Sequence, residues 1–247
     1  MPIGLFLAMS KKRLMLIVDY FCNTVYDREN LKRSGIVSDL VLREPNPEDM
    51  PAIMDIVRDV WAWEEVFESD EVVEASVAMY LAPVLHEASF GRVAVLDGNV
   101  VGVIFGAVDD DEPCFKHLLY DLTPYMITLL KTSEEERLGF CGYISKMRDV
   151  YERLVSGIEQ EYDGTLDFFA TCKSAQGKGI GKQLWLELKA YFEEKNVKRI
   201  YLYSDSECNF GFYERQGFKK RRQDEVRYEF DGEVEISEQY LYEYKLA

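Results

Sequence analysis

Three glycines at alternate positions mark the segment of this sequence that is best suited to chemistry. Gly177, Gly179 and Gly181 lie in Gln-Gly-Lys-Gly-Ile-Gly-Lys, residues 176–182. An apolar run precedes the segment and an amphipathic run follows it, which predicts a strand, a loop and the first turn of a helix. Glycine lets the backbone approach a ligand, and free N–H groups at a helix N-terminus favour an anion. The segment therefore predicts a phosphate or pyrophosphate held by backbone amides.

Two common phosphate-binding motifs do not fit this segment. A Walker A loop needs glycine, four residues, and then Gly-Lys followed by Ser or Thr. Gly181 and Lys182 would supply its end, but Gln176 and Gln183 occupy the two other required positions. A dinucleotide fingerprint needs G-x-G-x-x-G, and its third glycine would fall on Lys182. A kinase or a dehydrogenase is therefore a distant alternative.

A third motif fits, and a second segment accompanies it. Residues 176–181 resemble Q/R-x-x-G-x-G, the pyrophosphate loop of the GCN5-related N-acetyltransferases. Downstream, Asn-Phe-Gly-Phe-Tyr-Glu-Arg-Gln-Gly-Phe at 209–218 resembles the N-x-x-x-Y-E-x-x-G-F segment of that family. The resemblance is specific over about 164–220 and looser, though consistent, from Leu40 onward.

This resemblance implies an α/β (α+β) fold with a mixed, mostly antiparallel sheet flanked by helices. Its fourth and fifth strands, at 166–172 and 199–204, would splay into a V that holds acetyl-coenzyme A, with a backbone N–H near Thr171 or Cys172 facing the thioester oxygen. The residues implied to contact the cofactor are Phe169, Ala170, Thr171, Gln176, Gly177, Lys178, Gly179, Ile180, Gly181, Lys182, Asn209 and Tyr213. No metal site is predicted.

The resemblance also implies the reaction, which is direct transfer of an acetyl group to the primary amine of a small molecule or peptide. Tyr213 matches the tyrosine that protonates the departing thiolate, and packing is the alternative for its ring. Some members carry a glutamate base on the fourth strand, where this sequence has Thr165. Asp167, offset by two, and Asp205, just past the fifth strand, are the candidate bases. A non-catalytic acyl-coenzyme A-binding or regulatory module is the alternative function.

The rest of the chain predicts the elements that position these residues. We expect an N-terminal extension over 1–38 and a single domain over 39–247, with a helical insertion at about 109–162. A hairpin turn at Asp97-Gly98-Asn99 joins two of the strands. Strands are predicted at 40–43, 92–96, 100–108, 166–172, 199–204, from 218 and at 239–245, and helices from 46, at 71–88, 115–120, 124–131, 142–162, 180–195 and 210–216.

Composition limits the partners of the protein. The formal net charge of −16 argues against nucleic acid and favours a cationic acceptor such as a polyamine or an aminoglycoside. Five cysteines without a C-x-x-C pair favour a reducing cytoplasm, and without a histidine partner Cys172 and Cys208 are not predicted nucleophiles. The N-terminal apolar run is too short for a membrane span, and its charges follow it. The oligomeric state stays open, a homodimer included.

Overall fold

The computed structural model describes residues 40–61, 67, 69–119, 121–206, 208, 210–230 and 233–246. The predicted extension at 1–38 lies outside these residues. The strands are β1 (Leu40–Arg43), β2 (Phe90–Leu96), β3 (Asn99–Val108), β4 (Gly164–Thr171), β5 (Arg199–Asp205), β6 (Lys219–Phe230) and β7 (Glu233–Lys245). The helices are α1 (Met50–Trp61), α2 (Asp70–Glu87), α3 (Thr123–Lys131), α4 (Glu134–Val155), α5 (Ile180–Glu194) and α6 (Phe210–Gln216). In the described part of the chain, no helix has the length and apolar character needed to cross a membrane.

The strands form one seven-stranded sheet in the order β1-β2-β3-β4-β5-β7-β6. Every neighbouring pair is antiparallel except β4 and β5, which are parallel. This mixed, mostly antiparallel sheet with flanking helices confirms the predicted fold class. The predicted hairpin is also present, because Asp97 and Gly98 take positive φ angles of 50° and 82° between β2 and β3.

The start of α1 is fixed by side chains that the sequence places close together. Asn46 Oδ1 accepts a hydrogen bond from the Glu48 backbone N–H at 2.9 Å, and an Asp49 carboxylate oxygen accepts from the Asn46 N–H at 2.8 Å. The same carboxylate receives both guanidinium nitrogens of Arg43, at 2.6 and 2.8 Å. This capping box satisfies N–H groups that the first turn leaves unpaired, and it confirms the predicted helix start.

The insertion between β3 and β4 differs from the prediction. Helix α4 begins at Glu134, eight residues before the predicted start (142 − 134 = 8), and ends at Val155, short of the predicted 162. Ser133 Oγ accepts from the Glu136 N–H at 3.1 Å and the Glu136 carboxylate accepts from the Ser133 N–H at 3.2 Å. This second capping box starts the helix early. The helix predicted at 115–120 is only a 3₁₀ turn, Lys116–Leu119.

The two long C-terminal strands were also predicted too short. β6 and β7 pair antiparallel from Lys219↔Glu243 to Phe230↔Glu233, so the hairpin extends beyond the last pair between β5 and β7, Asp205↔Gln239. Its distal part alternates polar and apolar residues at 225–230 and at 233–237, which is the period-two pattern of a strand. The prediction overlooked this pattern, although it is present in the sequence.

The hydrophobic core lies on both faces of the sheet. On one face, α1 and α2 pack on β3 and β4 through residues such as Leu81, Phe105 and Phe168. On the opposite face, α5 packs on β2, β3 and β4 through residues such as Leu184 and Leu188. Helix α4 belongs to the α1/α2 face, where Leu154 and Ile158 pack with Leu241 of β7. A strand residue can therefore be assigned to one face of the sheet by the helix against which its side chain packs.

Gly106 of β3 allows α5 to approach the sheet. A Cβ atom at this position would lie 2.8 Å from the Leu188 Cδ1 atom and 2.8 Å from the Thr165 carbonyl oxygen. Backbone atoms cannot move aside as a flexible side chain can. Strand and helix therefore approach closely at Gly106, and a bulge lies beside it, since the β3–β4 register shifts between Phe105 and Gly106.

This contact yields a stability prediction. We expect Gly106→Ala to lower the free energy of unfolding by about 1–3 kcal/mol, because overpacking forces strand and helix apart. The matched control is Gly142→Ala in α4, where an added Cβ meets nothing within 4 Å. That variant should gain about 0.5–1 kcal/mol from helix propensity. Urea denaturation of both variants measures the two changes, and equal effects would contradict the close-packing argument.

Candidate active site

A wedge opens between β4 and β5. The two strands share only the register pairs Gly164↔Ile200 and Thr165↔Tyr201. Beyond these pairs they diverge, although β4 continues to Thr171 and β5 to Asp205. Backbone groups along the inner edges of the wedge therefore face each other without strand pairing. This is the splay that the sequence predicted for its fourth and fifth strands.

The end of β4 presents specific backbone groups to the wedge. The Cys172 N–H donates to the Val101 carbonyl at 2.9 Å, so it is committed to β3. Successive N–H groups along a strand point to alternate sides, which turns the Thr171 and Phe169 N–H groups toward the wedge. The Ala170 backbone faces β3 instead, and its side chain is buried in the core on the α1/α2 face. Of the two N–H groups considered for the thioester oxygen, Thr171 is the one left available.

A bulge in β4 sets the position of Asp167. Phe168 pairs with Phe105 and Leu166 pairs with Gly106, so Asp167 is the extra residue. Leu166 packs on the α5 face, whereas Phe168 packs on the α1/α2 face. Asp167 lies two residues from Thr165 and shares its hydrogen bond, which places both on the α1/α2 face. The bulge therefore holds a carboxylate where the strands begin to part.

The Asp167 carboxylate is poised to take up a proton near neutral pH. Its Oδ1 accepts a hydrogen bond from the Thr165 hydroxyl at 2.5 Å. Its Oδ2 is shielded from solvent and has no hydrogen-bond partner among the described residues. Burial raises the pKa of Asp167 to about 6; the Thr165 hydrogen bond opposes this shift, and the charges of Glu87 and Asp109 add to it. Thr165 stands where some family members carry the glutamate base. Here its hydroxyl orients the Asp167 carboxylate through a hydrogen bond.

The same shift makes fold stability depend on pH. The folded pKa of Asp167 near 6 exceeds the value of about 3.9 for an unfolded aspartate. The stability it contributes is present below about pH 4 and is lost as pH rises through about 6. The unfolding free energy of Asp167→Asn minus that of the wild type should therefore rise by up to about 3 kcal/mol from about pH 4 to about pH 8. Urea denaturation across this range measures the difference; a constant value would contradict the shift.

Tyr213 of α6 is enclosed by aromatic rings. Its ring centroid lies 5.6 Å from that of Phe218, 6.3 Å from that of Tyr242 and 6.4 Å from that of Phe169 on β4. Burial raises the pKa of Tyr213 far above its ordinary value, and Cys208, Asp205 and Tyr80 raise it further. The phenol is therefore protonated at neutral pH.

Asp205 has a structural task at the end of β5. One carboxylate oxygen accepts a hydrogen bond from the Cys208 N–H at 2.7 Å and so closes the turn that leads into α6. Burial raises the pKa of the Cys208 thiol well above its usual range, followed by the charge of Asp205. A thiol held protonated is a poor nucleophile.

Asn209, predicted to contact the cofactor, lies outside the described residues.

The glycine-rich loop has the backbone geometry that an anion site requires. Gly177 and Gly179 have φ angles of 74° and 77°, which favour glycine. Gly179 is the N-cap of α5, and because it has no side chain it cannot cap the helix with a side-chain hydrogen bond. The N–H groups of the first helical turn, 180–182, point outward and have no intrahelical partners. Residues 176–179 and Lys182 are exposed, whereas the Ile180 side chain is buried in the core. Ile180 therefore offers only its backbone to a ligand.

Gly181 lies beside the wedge. A Cβ atom there would be 3.0 Å from the Phe169 ring and 3.8 Å from the Phe212 ring. These two rings are themselves in contact, with centroids 5.2 Å apart. The absence of a side chain thus lets the loop, β4 and α6 meet at one place, which is the mouth of the wedge.

Comparison with known proteins decides the family. The sequence matches the profile of the Acetyltransferase (GNAT) family over residues 51–218, well over half of the chain. The chain belongs to this family. The matched span includes β4, the glycine-rich loop and Tyr213, and it confirms the resemblance drawn from the two motifs. No curated protein matches the sequence.

Solved structures share the fold at low sequence identity. SsHAT is 18% identical, with a TM-score of 0.54 over 85% of this chain and 99% of that chain. The ribosomal-protein-S18-alanine N-acetyltransferase from Escherichia coli is 13% identical, with a TM-score of 0.49 over 85% and 95% of the two chains. The PaiA N-acetyltransferase from Thermoplasma acidophilum, solved with coenzyme A, is 15% identical, with a TM-score of 0.46 over 84% and 99%. At 18% identity the similarity to SsHAT concerns the fold alone.

Sequence reasoning missed a group of tyrosines near the wedge. Tyr151 of α4 stacks on Tyr203 of β5 with ring centroids 4.1 Å apart and an interplanar angle of 8°. Tyr80 of α2 lies 6.3 Å from Phe168 of β4, centroid to centroid. The only signal in the sequence was the alternation of tyrosines at 201 and 203 in a predicted strand. Tyr80 and Tyr151 come from distant helices, which only the fold brings together.

Proposed function

We propose that this GNAT-family protein transfers an acetyl group from acetyl-coenzyme A to a primary amine by direct attack. The observation that carries the proposal is the buried carboxylate of Asp167 at the base of the β4–β5 wedge. A carboxylate with a pKa near 6 accepts a proton from an amine at neutral pH, which a module that merely binds acyl-coenzyme A does not need.

Binding of acetyl-coenzyme A divides between two parts of the site. The backbone amides of 176–182 hold the pyrophosphate, supported by the positive end of the α5 dipole, with the exposed Lys178 and Lys182 nearby. The inner edge of β4, at Phe169 and Thr171, pairs with the pantetheine arm. The Thr171 N–H then faces the thioester carbonyl oxygen and stabilises the negative charge that develops on it.

Two proton transfers accompany the exchange of bonds. The amine nitrogen attacks the thioester carbon, so a C–N bond forms as the C–S bond breaks. Asp167 takes a proton from the amine nitrogen, and Tyr213 gives its phenol proton to the departing thiolate. The products are the N-acetyl amine and the thiol of coenzyme A. The Asp167 proton passes to solvent and Tyr213 regains one from solvent, so protons balance over a cycle.

The role of Tyr213 has a direct test. Tyr213→Phe keeps the ring packing and removes only the hydroxyl. We expect kcat to fall about 10- to 100-fold, with an unchanged KM for acetyl-coenzyme A, because water can partly replace the acid for a good leaving group. Tyr242→Phe is the matched control, since that hydroxyl bonds to Glu214 at 3.2 Å. An unaltered kcat in Tyr213→Phe would remove this residue from the mechanism.

The overall proposal is tested by following release of the free thiol of coenzyme A with a panel of amines. Amine-dependent thiol release with formation of the N-acetyl product is the expected result. Binding of acetyl-coenzyme A without release for any amine would favour the non-catalytic binding module instead.

A further inference from the structure

Thr165 is the last residue of β4 that has a strand partner on both sides in the described sheet. It pairs with Ala107 of β3 and with Tyr201 of β5. Its carbonyl oxygen also lies close to Gly106, where an added Cβ atom would come within 2.8 Å of it. The Thr165 backbone is therefore fixed by contacts on both edges of the strand, at the point where β4 and β5 part.

Asp167, two residues further along β4, lacks this support. As the extra residue of the bulge it has no register partner in β3, and the pairing of β4 with β5 has already ended at Thr165. In the described sheet, a neighbouring strand therefore holds its backbone on neither side. A carboxylate that serves as a base needs a fixed direction, and at this residue a side-chain contact has to provide it.

The Thr165 hydroxyl provides that contact. Thr165 Oγ1 donates a hydrogen bond to Asp167 Oδ1 at 2.5 Å. Threonine is branched at Cβ, which restricts its χ1 angle, so a fixed backbone also fixes the direction of the hydroxyl. Oδ2 is then the carboxylate oxygen that has no hydrogen-bond partner among the described residues. The hydrogen bond thus leaves Oδ2 free to accept a proton from an amine.

The other groups around Asp167 oppose its ionisation. Burial is the largest cause of its raised pKa, and the charges of Glu87, at the end of α2, and Asp109, after β3, add to it. On the β5 side, the pKa of Tyr201 is raised by burial and by the charge of Asp167. Among the causes that act on the pKa of Asp167, only the Thr165 hydrogen bond lowers it. The hydroxyl therefore favours the ionised carboxylate that a base requires.

We propose that Thr165 is a positioning residue for the acetyl transfer, which directs the Asp167 carboxylate and keeps it ionised at neutral pH. This inference rests on the proposed function and extends it to a residue that does not touch the reacting atoms. The position at which some family members carry a glutamate base thus supports, in this chain, a base that lies two residues later.

The first test compares the pH dependence of kcat/KM in Thr165→Val and Thr165→Ser. Valine favours a strand and lacks only the hydroxyl function. We expect the change of slope caused by ionisation of Asp167 to move from about pH 6 to about pH 7 in Thr165→Val, the effect of losing one hydrogen bond to a charged group. Thr165→Ser keeps the hydroxyl and should retain the change of slope near pH 6. Neither variant should alter the KM for acetyl-coenzyme A.

A double-mutant cycle separates positioning from packing. At about pH 9, where Asp167 is ionised with or without the hydroxyl, Thr165→Val should still lower kcat about tenfold, because the carboxylate is no longer directed. In an Asp167→Asn background the same substitution should lower kcat by less than about twofold, since the base is already absent. Equal losses in the two backgrounds would assign Thr165 a packing role and overturn the inference.

Unfolding measurements distinguish failure of this inference from failure of the proposed function. The difference in unfolding free energy between Thr165→Val and Thr165→Val/Asp167→Asn, followed by urea denaturation, should change with a midpoint near pH 7, one pH unit above that of the parent pair. A midpoint that stays near pH 6 overturns the inference alone and leaves the acetyl transfer standing. Absence of turnover with every amine, or full activity of Asp167→Asn, overturns the proposed base and the inference together.

Discussion

Replacing Asp167 by asparagine should lower kcat about 1,000-fold, within the range that general-base catalysis supplies. The amide keeps the size of the side chain and can still accept the Thr165 hydroxyl hydrogen bond, seen at 2.5 Å in the wild type, but it cannot take a proton from the amine. Thiol release at saturating amine and acetyl-coenzyme A measures the effect. The Kd for coenzyme A should be unchanged, because the loop that we propose to hold the pyrophosphate lies beyond the end of β4.

The pH profile separates a base from a structural residue. Only the ionised Asp167 accepts a proton, and burial raises its pKa to about 6. In the wild type, the slope of log kcat/KM plotted against pH should therefore be greater by about one below pH 6 than above it. In Asp167→Asn this change of slope should be missing, whatever the amine itself contributes.

Two other aspartates serve as comparisons for this variant. Asp205→Asn tests the second candidate base; because Asp205 closes a turn through the Cys208 N–H and an amide oxygen can do the same, we expect a loss below tenfold. Asp110→Asn alters an exposed acid and should have no effect. If Asp205→Asn shows the larger loss and removes the change of slope, Asp205 is the base and Asp167 is not.

Gly179→Glu should weaken coenzyme A binding about 100-fold, equivalent to about 2.7 kcal/mol. Gly179 has a φ angle of 77° and caps α5, so a side chain strains the turn that aims the N–H groups. A carboxylate at a site built for pyrophosphate adds charge repulsion. Isothermal titration calorimetry with coenzyme A measures the change.

Gly98→Glu is a closely matched control for this variant. Gly98 has a φ angle of 82° and, like Gly179, no atom within 4 Å of an added Cβ, but it lies in the β2–β3 hairpin turn. The two substitutions should therefore destabilise the fold similarly, while only the one at Gly179 weakens coenzyme A binding. Equal loss of binding in both variants would assign the effect to folding and not to the loop.

Local sequence patterns were sufficient to predict the elements whose structure is determined by neighbouring residues. The capping residues at Asn46, the turn at Asp97-Gly98 and the apolar period of α5 predicted their elements because each depends on a few adjacent residues. The same reasoning failed for α4, where the Ser133–Glu136 capping box was overlooked. It also failed for β6 and β7, where the alternation of polar and apolar residues at 225–230 and 233–237 was overlooked.

The candidate base shows most clearly what local sequence patterns could not predict. A fixed spacing from the family pattern pointed to Thr165, and alternation along an ideal strand gave Asp167 no special place. The bulge opposite Phe105 and Gly106 decides where the carboxylate lies, and it depends on how two strands pair. The raised pKa of Asp167 likewise reflects burial by distant segments, which no local pattern encodes.

The sequence by itself was sufficient to identify the GNAT family, and it predicted an anion loop at 176–182 and a catalytic tyrosine in α6, because motifs of adjacent residues carry all three. Tertiary structure alone decided that, of the two candidate bases, Asp167 has a carboxylate oxygen shielded from solvent where β4 and β5 begin to part. It also decided that α2 and α4 bring Tyr80 and Tyr151 to Phe168 of β4 and Tyr203 of β5. The physical reason is that burial, strand register and ring contact arise between segments far apart in the chain, whereas motifs record only what a segment can do locally.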